Sequence, residues 1–328
     1  MTILPLLAQL GTVNPQSGNG LAPHWGWYVI LYFFLGGLSA GSYFIATMLA
    51  LTGDSRDRET VRLGYMLAFP LVVACGILLV IDLGVPLRFW HMLIQSERPL
   101  LPIFKWWSPM SLGSWVLMAF SLFSFVSFVG VLVETGRVRW SPAVRLDRWA
   151  RSTPRPLAVS WAVVGTFFGF FLAGYTGVLL TGTSIAVWHN ARLLGGIFLA
   201  SAASTSYALL ILLLLCRGRT HAEAPVAKLA SADKMMIVLE LLLLALMLIV
   251  LGGVARPFIR GGFGVVFWLG VVVLGLLVPL ALHLIPRLRW DARRRTVVAS
   301  MCVLVGGLIL RFVIVMAPQW PSVRLWAL

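Results

Sequence analysis

Residues 26–51 read GWYVILYFFLGGLSAGSYFIATMLAL, a run of 26 residues without Asp, Glu, Lys, Arg or His. As an α-helix rising about 1.5 Å per residue, it outreaches the roughly 30 Å hydrocarbon core of a bilayer. Seven further apolar runs follow, over 61–83, 107–133, 157–180, 193–216, 235–254, 264–285 and 296–317. Together they predict an all-α polytopic membrane protein with about eight transmembrane helices, forming a single membrane domain over 1–328. Composition agrees: 60% of residues are hydrophobic, 11% are charged, and the mean hydropathy is +0.94. A soluble domain carries about 25% charged residues. Pro70 and Pro279 lie inside the second and seventh runs and remove a backbone donor each, so kinks are expected there.

The formal net charge of +15 does not point to nucleic acid, because the charges sit in short loops between apolar runs, where they act as topology signals. The loops after the first, third, fifth and seventh runs carry 3, 6, 4 and 5 Lys or Arg, counting boundary residues. The arm, loops and tail on the other side carry 0, 3, 0, 2 and 1, with Arg192 at a run boundary and Arg311 inside the eighth run set apart. This bias predicts both termini on the non-cytoplasmic side, with membrane lipids around the chain. Residues 1–24 hold no Lys or Arg, so no cleavable signal peptide is expected, and 11–21 read as a short surface arm. A faint internal echo, Leu35-Gly36-Gly37 against Leu194-Gly195-Gly196, is compatible with two parallel four-helix bundles.

Cys75, Cys216 and Cys302 each fall inside an apolar run without metal-ligand spacing. Three of the five histidines, His24, His91 and His189, fall at the outer edge; His221 is in an inner loop, and His283 stands alone near the inner end of the seventh run. A transmembrane haem needs two histidines on facing helices at one depth. No metal, haem or iron–sulfur cluster is therefore expected on this chain's own ligands.

Polar residues at membrane depth are costly and usually functional. They gather at the outer side. In Asp82-Leu83-Gly84-Val85-Pro86-Leu87-Arg88-Phe89-Trp90-His91, Gly and Pro can simply end a helix, or Asp82 and Arg88 can fold back to pair at the edge of a polar cavity. Tyr175, between Gly174 and Gly177, fits either close helix packing or a flat ligand lying on glycine beside a phenol. Glu240 is expected about four to five residues from the inner end of the sixth run, shallow enough to reach the headgroups. Arg311 lies deep in the eighth and calls for a buried partner or a cavity.

Several of these pieces together resemble the NrfD/polysulfide-reductase-C family. They are Phe34-Leu35-Gly36-Gly37-Leu38-Ser39-Ala40-Gly41, the Asp82–Trp90 stretch, Ser108-Pro109-Met110-Ser111-x-Gly113-Ser114-Trp115, Gly174-Tyr175-Thr176-Gly177-x-Leu179-Leu180, Trp188-His189-Asn190 and Arg311 after Gly306-Gly307-Leu308-Ile309-Leu310. The resemblance implies a respiratory-chain subunit of the bacterial cytoplasmic (inner) membrane, with both termini on the periplasmic side. It would exchange electrons between a membrane quinone, menaquinone or ubiquinone, and a four-cluster ferredoxin-like iron–sulfur subunit. A molybdenum- or tungsten-pterin catalytic subunit would sit beyond. Tyr175 and His24 would contact the quinone head, with Gly174, Gly177 and Arg311 around it, while Asp82 and Arg88 handle protons.

Two other classes compete. A secondary transporter or proton-translocating subunit requires ionisable groups at mid-membrane, which the run boundaries above leave sparse. A structural anchor needs only one helix.

Overall fold

The computed structural model describes residues 25–94, 108–217, 223–284 and 291–319. Within them the regular structure is helical, and eight helices are long and apolar enough to cross a membrane. They are α1 (Trp27–Thr52), α2 (Arg58–Asp82), α3 (Pro109–Glu134), α4 (Arg155–Thr181), α5 (Leu194–Cys216), α6 (Glu223–Leu251), α7 (Gly261–Leu284) and α8 (Ala292–Met316). The chain is a multi-pass all-α membrane protein.

Local chemistry marks the ends. α1 stops at Gly53, whose φ of +73° suits a residue without Cβ. α3 opens with Pro109 in its first turn, and the Ser108 side chain accepts from the Ser111 N–H. α2 runs through Pro70 as one helix. α7 answers Pro279 differently: it is wound as a π-helix over Val266–Leu277 before returning to α-form at Val278.

The helices form two rings of four. α1 packs on α2 and α4, with α3 bridging those two. α5 packs on α6 and α8, and α7 lies mainly on α8. The rings join where α1 meets α5, flanked by α4 against α5 and α8 against α1. The central windows of α1 and α5 are 83% and 72% buried, which makes these two the inner helices. Small residues allow their close approach. A Cβ on Gly41 would lie 2.7 Å from the Ala202 carbonyl oxygen, and Ser206 Oγ donates to the Leu38 carbonyl at 3.3 Å.

Two boundaries differ from the sequence expectation. α6 begins at Glu223 rather than near 235, because its early charges find partners: Lys228 Nζ reaches Asp57 Oδ2 at 2.5 Å, and Asp233 is buried against Ser204. Glu240 consequently lies well inside α6 instead of near its start, and is buried in the bundle at 2% exposure. The third loop also contains a helix, Ser141–Ser152, with Trp140 and Trp149 exposed. Its basic, amphipathic character suits the membrane interface.

Candidate functional site: a cavity in the first ring

The first ring is not filled. A cavity of about 320 Å³ lies among the start of α1, the end of α2, the start of α3 and the end of α4, on the side away from the arginine-rich loops. Most of its wall is apolar, including Val29, Val72, Leu79, Leu117 and Leu179. Space exists partly because Gly76 and Gly113 present no side chain to it.

The Asp82–His91 stretch roofs this cavity. Gly84 takes φ of +70°, a backbone turn that disfavours L side chains, and the 3₁₀ segment Pro86–Met92 then folds across the opening. Phe89, Met92 and Leu93 point into the cavity. The Trp115 indole N–H donates to the Leu93 carbonyl at 3.1 Å and fixes the segment to α3. Asp82, half-buried, lines the cavity and makes no hydrogen bond or ion pair with another described residue. Arg88 is exposed and does not line the wall. The expected Asp82–Arg88 pair is therefore absent: the turn carries Arg88 past the acid instead of back onto it.

Tyr175 enters from α4. Its ring lies against Gly113, stacks on Phe171 with centroids 5.8 Å apart, and its hydroxyl donates to the Pro109 carbonyl. Tyr32 of α1 faces the same space, 3% exposed and near Tyr175. The sequence reading missed Tyr32, because Tyr28 and Tyr43 stand in the same run and nothing in the sequence sets Tyr32 apart from them. The hydroxyls of Ser114 and Ser121, also in the wall, donate back to Met110 and Leu117 carbonyls of their own helix (2.9 and 2.7 Å). The wall's remaining side-chain oxygens belong to Asp82, Tyr32 and Tyr175.

With this geometry in view, comparison with known proteins is decisive. The family model described as "Polysulphide reductase, NrfD" matches residues 14–321. The chain belongs to the NrfD/polysulphide reductase family. It is 30% identical to the C chain of polysulfide reductase from Wolinella succinogenes over 313 residues, covering 90% of this chain and 94% of the relative. It is 26% identical to protein NrfD of Escherichia coli K12, covering 90% and 95%. A shorter match, 29% over 105 residues, joins it to the C subunit of selenate reductase from Mesobacillus selenatarsenatis, covering 29% of this chain and 25% of that one. As an NrfD-family chain, the protein is a membrane subunit of an oxidoreductase complex.

The NrfD-family chain places the remaining expected residues elsewhere. Gly174 and Gly177 do not line the cavity. They let α4 lie on α5, where a Cβ on Gly177 would strike the Leu194 carbonyl. Arg311 is in neither the cavity nor lipid. It is 1% exposed where α1, α5 and α8 meet, donates to Ser201 Oγ at 2.5 Å and to the Gly307 carbonyl at 2.9 Å, and sits over the Phe198 and Phe34 rings. His24 lies outside the described residues. Its neighbour Trp25 lines the cavity, stacks on Trp188 at 5.3 Å and is held by Gln319 through both main-chain groups.

Proposed function

We propose that the chain oxidises or reduces a membrane quinone in the first-ring cavity and exchanges the electrons with an iron–sulfur subunit docked on the same side. The observation that carries this is the cavity itself: an apolar space of about 320 Å³, within the range of small-molecule sites, with Asp82, Tyr32 and Tyr175 in its wall. A substituted quinone ring fits between the Gly113 wall and the roof, with its tail along the apolar helices.

The phenol proton of Tyr175 is engaged by Pro109, so the free lone pairs of its oxygen accept from a quinol hydroxyl. Asp82 is the wall's carboxylate and takes the protons on to the adjacent surface. Tyr32 completes the polar end. Cys75, Cys216 and Cys302 sit on three different helices, so electrons leave to clusters carried by a partner. We assign that partner to the four-cluster ferredoxin-like class, with a molybdenum- or tungsten-pterin subunit beyond. The excess of Lys and Arg in the loops on the opposite side supports a cavity and termini facing the periplasm across the cytoplasmic membrane.

The test is quinol-dependent electron transfer in the purified complex, wild type against Gly76→Leu, which extends an apolar side chain into the cavity from a wall position whose Cβ would meet nothing within 4 Å. Loss of transfer with assembly intact supports the reading. Wild-type turnover in the filled variant rejects it.

A further inference from the structure

The second ring buries four ionisable side chains that the quinol chemistry leaves unused. Asp233 and Glu240 lie about two turns apart on one face of α6, 0% and 2% exposed. Asp233 Oδ1 accepts from Ser204 Oγ of α5 at 2.6 Å, while Oδ2 faces His283 Nε2 of α7 at 3.8 Å. Neither Oδ2 nor Nε2 has a hydrogen-bond partner among the described residues. Tyr207 of α5 also stands near Asp233. Glu240 faces Ser201 and Arg311, and Arg311 donates to the same Ser201. Ser201 and Ser204 are one helical turn apart, so α5 links the two clusters.

Charge balance separates their roles. Glu240 is offset by the guanidinium of Arg311. Among the described residues Asp233 has no Lys or Arg in ion-pair contact, and a bare carboxylate is strongly disfavoured in an apolar bundle. Electroneutrality asks for one proton on the Asp233–His283 pair, as carboxylate and imidazolium or as acid and imidazole, and its passage over the 3.8 Å gap requires the side chains to close or a water to bridge them. Transfer breaks N–H at Nε2 and forms O–H at Oδ2, with no change in net charge. The His283 side chain is 9% exposed, one residue from the end of α7 on the side of the basic loops. At the other end, Arg311 sets a fixed positive charge against onward passage of a proton, as such charges do in water channels.

We propose that Asp233 and His283 form a proton-exchange site, open to the basic-loop side and closed at Arg311, giving the second ring a function separate from the cavity. Arg311 also touches α1, lying over Phe34 and near Gly37. Since α1 carries Tyr32 into the cavity, the site is placed to couple proton uptake to quinol turnover. That coupling rests on the proposed function; the site itself does not.

Infrared difference spectra of the full chain in liposomes, taken between acidic and alkaline buffer, test the site without quinone. A protonated-carboxyl band that titrates and shifts in D2O is expected. Asp233→Asn should remove it, and Ser204→Ala, which keeps the acid, should shift its frequency. A wild type without such a band, a band unchanged in both variants, or a response to Na+ instead of pH overturns the proposal. In vesicles bearing the whole complex, Asp233→Asn should keep quinol turnover within about twofold and lose proton uptake from the basic-loop side. Unchanged uptake overturns the coupling. Absence of quinol turnover in the wild type overturns the proposed function and leaves the infrared result on Asp233 standing.

Discussion

The hydroxyl of Tyr175 donates to the main-chain carbonyl of Pro109, tying the outer part of α4 to the first turn of α3. The bond orients the phenol at the cavity wall and commits its proton, so the oxygen meets a ligand as an acceptor. Tyr175→Phe keeps the ring and its stack on Phe171 but deletes that acceptor. One lost hydrogen bond is worth about 0.5–1.5 kcal/mol net, which corresponds to a roughly two- to tenfold rise in apparent quinol KM. Steady-state kinetics over a range of quinol concentrations will show it, with the complex still assembled. Unchanged kinetics would remove Tyr175 from the site.

Gly113 supports that ring from below. A Cβ there meets the Tyr175 ring and hydroxyl directly, so Gly113→Ala pushes the phenol into the cavity. Quinol turnover should fall by about tenfold or more. Gly130→Ala, on the same helix, is the control: its Cβ would meet only Asp147 Oδ1 at 3.6 Å, and its turnover should match wild type.

Gly177 distinguishes packing from ligand binding. Its missing Cβ makes room for the Leu194 carbonyl and for the Gly195 nitrogen, 2.8 Å from where that Cβ would sit. Gly177→Ala should cost about 1–3 kcal/mol by overpacking, read as a lower Tm, with quinol KM unchanged. A raised KM at unchanged Tm would return Gly177 to the ligand site.

Asp82 and Arg88 should behave independently. Asp82→Asn removes the carboxylate facing the cavity and should slow kcat more than it raises KM, because the group acts on protons after binding. Arg88→Gln, on the exposed side of the turn, should leave both close to wild type. Equal defects in the two variants would restore the charge pair.

Architecture was legible because the bilayer imposes it. Runs such as 26–51 and the asymmetry of loop arginines follow from the same solvation physics that builds the helices. The start of α6 was not legible: Lys228, Asp233 and Lys234 lower hydropathy, yet Lys228 and Asp233 reach partners on other segments, Asp57 and Ser204, that periodicity along one helix does not reveal. The same limit hid the Asp233–His283 contact, so His283 read as solitary and mid-membrane charge as sparse. Tyr175 and Asp82 were found as cavity residues because a phenol or an acid near an outer helix end is costly without a role. Close packing of the α4 glycines and a buried partner for Arg311 were both open in the sequence, but the family resemblance set Gly174, Gly177 and Arg311 around the quinone head, because residue type does not say which neighbour a helix face meets; Gly113, named only within a motif, was the glycine at the phenol.

The most direct test of the quinone assignment is where a quinone sits. An azidoquinone photolabel, applied to the assembled complex and mapped by peptide mass spectrometry, should modify peptides carrying Tyr32, Gly113 or Tyr175, and excess unlabelled quinone should suppress the signal. Labelling confined to peptides of α5–α8, or labelling that unlabelled quinone does not reduce, would contradict the account.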